Sequence, residues 1–394
     1  MRIAVSLICA LCLNLTAWCQ HDTGHWKTLA EGMSKALISN FWGASFADHP
    51  DRFYFNYLSQ QADLKHEQYW PQAHAMDVMV DAYLRTGDKR YRDIYPLWWQ
   101  GAPDNNFVAG INDHDHWWNP YVDDMEWIAL AQIRMWESTG NQQYIAKARQ
   151  LYDDYIWSTW GPENEAPWFG GITWKVDIGK SKNSCSNGPA ALIAARLYRF
   201  YDKAKFRGGK VREAYLNEAV KIYNWQKSTL FDRSSGAVWD NINSKGEIAK
   251  HMVFTYNIGT FLGAAHELYG ITGDCQYLDD AVLAATYVIN HMTTNDGTLS
   301  DAHGGDGGLF HGIFFRYFVK LINDVSLNTE IRRRFHAYIT NLATVMASEG
   351  INQRTMLYAG RWHQAPADND IVPLTSHLTG CMLMEAMCIL QPVE

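Results

Sequence analysis

The pattern of this chain predicts an all-α fold made of six helical hairpins, and three observations carry that expectation. Apolar residues recur at three- and four-residue spacing along most of the chain, as in Ala75, Met76, Met79, Val80, Tyr83 and Leu84. A short turn recurs as Arg85-Thr86-Gly87-Asp88, Ser138-Thr139-Gly140-Asn141 and Ile271-Thr272-Gly273-Asp274, with Tyr91, Tyr144 or Tyr277 and a second helical pattern following each. Between these hairpins lie long irregular segments rich in Gly, Asp, Asn, His and Trp. The turn has a physical logic. Gly ends one helix in a left-handed conformation, and Asp or Asn then accepts hydrogen bonds from the free N–H groups opening the next.

The first element is a leader. Met1 and Arg2 precede an apolar run from Ile3 to Leu15, and Ala17 and Cys19 are spaced for cleavage before Gln20. Residues 1–19 are therefore expected to be a secretory signal and 20–394 one domain, which would place the mature protein outside the cytoplasm. The run is too short to span a bilayer, and no other segment is apolar for long enough, so no membrane insertion is expected. A helix near Trp26–Trp42 and one near Ser376–Leu390 form the closing hairpin. The three clear turns mark three more, and degenerate copies fall around Tyr201–Val211 and Asn323–Glu330. The loops Gly101–Tyr121, Gly161–Asn187, Phe231–Tyr256, Asn295–Gly312 and Gly350–Thr375 separate the hairpins. Stacked hairpins form either an open solenoid or a closed ring. If the turns mark one end, these loops mark the other. Loops of this length in a compact domain are usually functional, so the chemistry is expected among them.

Composition narrows the function. A net charge of −8 without basic clusters excludes a nucleic-acid partner. Aromatic residues make up 14% of the 394 positions, with 17 Trp and 21 Tyr, which suits both a large core and flat sugar-facing surfaces. Of seven cysteines, Cys9, Cys12 and Cys19 lie in the leader. Cys185, Cys275, Cys381 and Cys388 lack zinc spacing, and the last two share a helix face as buried thiols. His114-Asp115-His116 alternates in a loop without further ligands in view. Gly304-Gly305-Asp306-Gly307-Gly308 lacks the Lys-Ser/Thr of a phosphate loop and reads as a flexible groove loop. No metal site is expected from these spacings.

The segment Trp117-Trp118-Asn119-Pro120-Tyr121-Val122-Asp123-Asp124-Met125-Glu126-Trp127 carries the chemistry. A loop ends at Pro120 and a helix is expected from about Asp123 to Glu137. Acidic residues favour helix N-termini in any protein, because free N–H groups and the helix dipole attract them. Two carboxyl groups beside aromatics also match the acid/base and nucleophile of a glycosidase. Adjacent Cα atoms are ~3.8 Å apart, so the pair reaches the ~5–5.5 Å separation of retaining enzymes more easily than the wider inverting one. Mutual repulsion would split their protonation, one staying ionised and the other holding a proton.

These residues give the chain a resemblance to glycoside hydrolase family 76, the endo-α-1,6-mannanases. Tyr121-Val122-Asp123-Asp124-Met125-Glu126-Trp127 resembles that family's signature aspartate pair. Tyr69-Trp70-Pro71-Gln72-Ala73-His74-Ala75-Met76-Asp77 resembles its first inner helix. Gly170-Gly171-Ile172-Thr173-Trp174 with Lys182-Asn183-Ser184-Cys185-Ser186-Asn187, Thr255 to Ala264, and His311 to Tyr317 match further blocks in order and spacing. The resemblance covers nearly the whole mature chain. It implies an (α/α)6 barrel and retaining hydrolysis of α-1,6-mannosidic bonds, with Asp123 as nucleophile and Asp124 as acid/base. It also implies an α-mannan polysaccharide or oligosaccharide as partner and neither a metal nor an organic cofactor; the protein is expected to be a monomer. Ile258 and His311 depart from the family's usual Gln and Lys, and both are expected near the groove.

On the same loops, Trp118, Asn119, Tyr121, Trp174, Asn183, Asn187, Asp240, Tyr256 and Asn257 are candidate substrate contacts. Asn and Asp supply the paired donors and acceptors that sugar hydroxyls need. They equally cap helices from within, and a Trp such as Trp239 or Trp362 is as readily core as stacking platform. Transglycosylation, glycan binding without catalysis, and another (α/α)6 enzyme such as an unsaturated-uronyl hydrolase are the alternative functions. The intact aspartate pair disfavours the second, and the scarcity of Arg and Lys in the loops the third.

Overall fold

The computed structural model describes residues 23–45, 51–54, 69–106, 115–176, 181–203 and 209–393. The leader and His114 lie outside the described residues. The helices are α1 (Thr23–Phe41), α2 (Tyr69–Thr86), α3 (Lys89–Arg92), α4 (Ile94–Gly101), α5 (Val122–Thr139), α6 (Gln142–Gln150), α7 (Ser184–Lys203), α8 (Gly209–Thr229), α9 (Thr255–Thr272), α10 (Cys275–Tyr287), α11 (Gly307–Ile322), α12 (Thr329–Val345) and α13 (Leu374–Ile389). A two-residue antiparallel pair, β1 (Lys182–Asn183) with β2 (Asn241–Ile242), is the sheet among the described residues.

The ring closes. Helix α2 packs on α5, α5 on α7, α7 on α9, α9 on α11, α11 on α13, and α13 back on α2. These six form the inner layer, and almost every residue of α11 and α13 is buried, as is most of the first half of α9. The outer helices each pack on an inner partner, α1 on α13 among them. The double ring follows from the sequence pattern: inner helices are apolar on all sides, as buried helices must be, whereas the outer α6 and α12 bury one stripe.

The predicted turns are where expected. Gly87, Gly140 and Gly273 adopt φ of 69°, 71° and 72°. Asp88, Asn141 and Asp274 accept from the backbone N–H groups of Arg90, Gln143 and Gln276. The turns at Gly87, Gly140, Gly273 and Asn323–Glu330 each join an inner helix to an outer one at the end of the ring away from the loops that precede the inner helices, and the turn anticipated around Tyr201–Val211 falls in part outside the described residues. Two boundaries differ. Helices α7 and α11 start at Ser184 and Gly307, several residues inside the segments expected to be loop, because Asn187 and Gly312 sit within helical turns. Three outer helices also finish in a wide π turn, at Leu151–Ile156, Val288–Met292 and Met346–Gly350, which no periodicity announces.

Candidate active site

A cleft of about 440 Å³ opens at the loop end of the ring, lined by Trp70, Tyr121, Asp123, Asp124, Trp127, Trp174, Tyr256, Gly305, Asp306 and Phe310. The inner helices point their N-termini toward this end, so the cleft sits where helix dipoles favour negative charge. Asp123 and Asp124 occupy the first turn of α5, after Tyr121 at the N-cap. The loop after Gly171 locks that turn in place. Val122 N–H donates to the Trp174 carbonyl at 2.8 Å, and Val176 N–H donates to the Pro120 carbonyl at 2.9 Å. This pairing sets the Trp174 indole against the Tyr121 ring, with centroids 5.3 Å apart. On the far wall Tyr256 stacks on Phe310, centroids 4.1 Å apart and planes within 15°.

The two carboxyl groups are not equivalent. Burial pushes Asp123 up to about 6, with the charge of Asp306 adding to it. The nearby Cys185 thiol, the Asp123 backbone N–H and the Trp174 indole favour its ionised form and hold it back. Its Oδ1 is shielded from solvent and has no hydrogen-bond partner among the described residues. Asp124 is pushed well above the carboxylate range, first by burial, then by the charges of Asp123 and Asp306. None of these influences on Asp124 favours its ionised form, so of the two it is the carboxyl that burial and charge push toward the protonated form. One turn on, Glu126 is fully buried and pushed well up by burial and by Asp123, so it too is neutral.

Of the candidate contacts, Tyr121, Trp174 and Tyr256 line the cleft with the aspartate pair. The others are absent from its lining and hold the loops that shape it. Asn119 accepts from the Tyr121 N–H at 2.8 Å and donates to Asn106. Asn187 accepts from the Ile172 N–H and donates to the carbonyls of Ile172 and Asn183. Asn183 accepts from the Ser181 hydroxyl. Asp240 accepts from Asn241 and Asn257, joining β2 to α9. Trp118 is half-buried against the core, and Trp362 is core. Ile258 and His311, expected near the groove, are absent from its lining. Ile258 is fully buried, and His311 is held between the Thr255 hydroxyl at 2.8 Å and the Ser300 carbonyl at 3.0 Å. Asp115 is occupied by the Lys147 ammonium at 2.6 Å.

Sequence reasoning missed Trp70, Trp127, Phe310 and Asp306 as cleft residues. Trp70 and Trp127 lie in the quoted motifs, and their aromatic character was the available signal. Asp306 lies in the glycine run expected to be a flexible loop. That run is instead pinned. Gly304 N–H donates to Ser376 Oγ at 2.9 Å, the Gly308 carbonyl accepts from Thr379, and the Trp70 indole N–H donates to Asp306 at 3.2 Å.

The chain and its fold have counterparts among known proteins. The chain resembles the α-1,6-mannanase GH76A of Salegentibacter sp. HEL1_6, solved as an inactive variant with two consecutive aspartates replaced by alanine and α-1,6-mannotetrose bound. The match is at 33% identity and a TM-score of 0.80, covering 93% of this chain and 99% of that one. It also resembles the Lin0763 protein of Listeria innocua, at 28% identity and a TM-score of 0.76, covering 92% and 96%. A mannan endo-1,6-alpha-mannosidase of Saccharomyces cerevisiae is 22% identical over 274 residues, 62% of this chain and 51% of that protein. The matches span about half the length of these curated yeast relatives. The model of glycosyl hydrolase family 76 matches residues 25–393, nearly the whole described barrel, and the chain belongs to that family.

Proposed function

We propose that this protein is an exported endo-acting α-1,6-mannanase that cleaves with retention of anomeric configuration. The observation that carries the reading is the pair of adjacent carboxyls, in unequal surroundings, lining an aromatic-walled cleft. Asp123 is the nucleophile. Its carboxylate oxygen bonds to the anomeric carbon as the glycosidic C–O bond breaks. Asp124 delivers its proton to the departing oxygen. The Asp124 carboxylate then takes a proton from water, whose oxygen attacks the anomeric carbon and frees Asp123. Tyr121, Trp174, Tyr256 and Phe310 present flat faces on which sugar rings pack. The family and its mannanase members support α-mannan as substrate, and the leader-like N-terminus supports export.

The test is incubation of the purified mature protein with linear α-1,6-mannan and with debranched yeast mannan, with products read by chromatography. Wild type should release a ladder of oligosaccharides. Asp123→Asn and Asp124→Asn should each lose activity by about 10³-fold or more while keeping the wild-type circular dichroism spectrum. Proton NMR of the first product should show the α-anomer. A β-anomer would overturn retention, and an inert wild type would overturn the mannanase reading.

A further inference from the structure

Asp306 is the third carboxyl of the cleft, and the closed ring fixes its relation to the other two. Among the inner helices α11 stands three places from α5 in either direction, so Asp306, next to the first residue of α11, faces the Asp123–Asp124 pair across the pit. It is anchored there. The Trp70 indole N–H holds Oδ1 at 3.2 Å, and the backbone on its N-terminal side is tied to α13 through Ser376. Gly304 and Gly305, at φ of 70° and 57°, let the chain turn sharply before it. The indole belongs to a residue that itself lines the cleft, so one wall of the site is built to aim this carboxylate.

Resting on the mannanase reading, we propose that Asp306 is a positioning residue whose charge, held opposite the pair, keeps the catalytic proton on Asp124 until the leaving oxygen takes it. The argument is electrostatic. A second negative charge in a half-desolvated pit disfavours ionisation of its neighbours. Asp306 acts in this sense on both Asp123 and Asp124. Glu126 on the pair's own helix, Tyr69 on α2, Cys185 on α7 and Tyr256 on α9 also face the pair, and all of these are held neutral by burial. Lys175, over the Tyr121 ring at 4.6 Å, is a cation at the rim. Asp306 is therefore the anionic side chain in this set that acts on the pair from outside α5.

The experiment is the pH dependence of kcat/KM on linear α-1,6-mannan for wild type, Asp306→Asn and Asp306→Glu. Asn removes the charge and keeps the shape, so the basic limb, where the acid loses its proton, should move down by roughly half a pH unit or more. Glu keeps the charge and should restore the limb to within a few tenths of a unit of wild type. A purely structural role would lower kcat/KM at every pH and leave the limbs in place. That outcome in Asp306→Asn, with its melting temperature unchanged, overturns the proposal. An inert wild type in the same assay is a failure of the mannanase reading, and the two results are distinguishable.

Discussion

The chemistry of this cleft depends on a few carboxyls kept from ionising freely, and that has measurable consequences. Asp123 and Asp124 titrate as a pair. The acidic limb of the kcat/KM profile should fall near pH 6, where Asp123 becomes ionised, with the basic limb well above it. Glu126 offers a stability test of the same physics. Its folded-state affinity for a proton is raised, so it supports folding below its unfolded pKa and that contribution is lost as pH rises through its folded pKa. Glu126→Gln removes the titration and keeps the shape. Its melting temperature relative to wild type should therefore climb as pH rises above the ordinary glutamate range of about 4–5. A difference that is flat with pH would mean Glu126 is ionised in the fold.

Hairpin turns and loop crossings make different demands on glycine. At Gly140 a Cβ would meet nothing within 4 Å, and only the left-handed φ of 71° opposes it. Gly140→Ala should lose about 1 kcal/mol. At Gly360 the φ is 82°, and a Cβ would sit 2.1 Å from the Ala302 carbonyl oxygen, in the backbone that leads to His303 and Asp306. Gly360→Ala should lose about 3 kcal/mol or more. It should also lower activity, because the segment bearing Asp306 is displaced. Thermal melts of the two variants side by side, with activity at a permissive temperature, check both expectations. The caps behave as local units too, and Asp274→Ala should cost about 1 kcal/mol through the lost acceptor for Gln276 N–H.

The ring is tied together by charge as well as by packing. Arg134 of α5 donates to Asp77 of α2 at 2.7 Å and pairs with Asp81, which also meets Arg316 of α11 at 2.9 Å. Arg199 of α7 meets Glu267 of α9 at 2.9 Å, and Arg85 of α2 joins Glu385 of α13 to Glu31 of α1. All six inner helices thus contribute to an ionic belt within the barrel, between the cleft and the hairpin turns. Burial lowers the Lys320 ammonium to about 8, with Arg196 adding to the effect. Arg134→Met should destabilise the fold by about 3–5 kcal/mol, because Asp77 is left buried, and Asp81 half-buried, with one cation fewer. Urea denaturation measures this. A loss under about 1 kcal/mol would show that Arg316 alone neutralises both carboxylates.

How much of this was legible in the chain follows the range of the interactions. The hairpin turns at Gly87, Gly140 and Gly273 and the placement of Asp123 and Asp124 at a helix start rest on contacts within about four residues, which spacing encodes directly. Ring closure joins residues too far apart for any local pattern, and periodicity left the open solenoid equally allowed. The same distance hid the third carboxyl. Trp70 and Asp306 are 236 positions apart, and only the packing of α2, α13 and α11 brings the indole to the carboxylate. Asn119 and Asp240 lie in loops, Asn183 in β1, and Asn187 and Asn257 in the first turns of α7 and α9. Whether an amide turns to the cleft or to a neighbouring backbone depends on which buried N–H and C=O groups need a partner once the loops have packed. The local order of residues determined the hairpins and the aspartate pair. The packed ring decided what faces them, because burial and opposing charge exist only after distant helices meet.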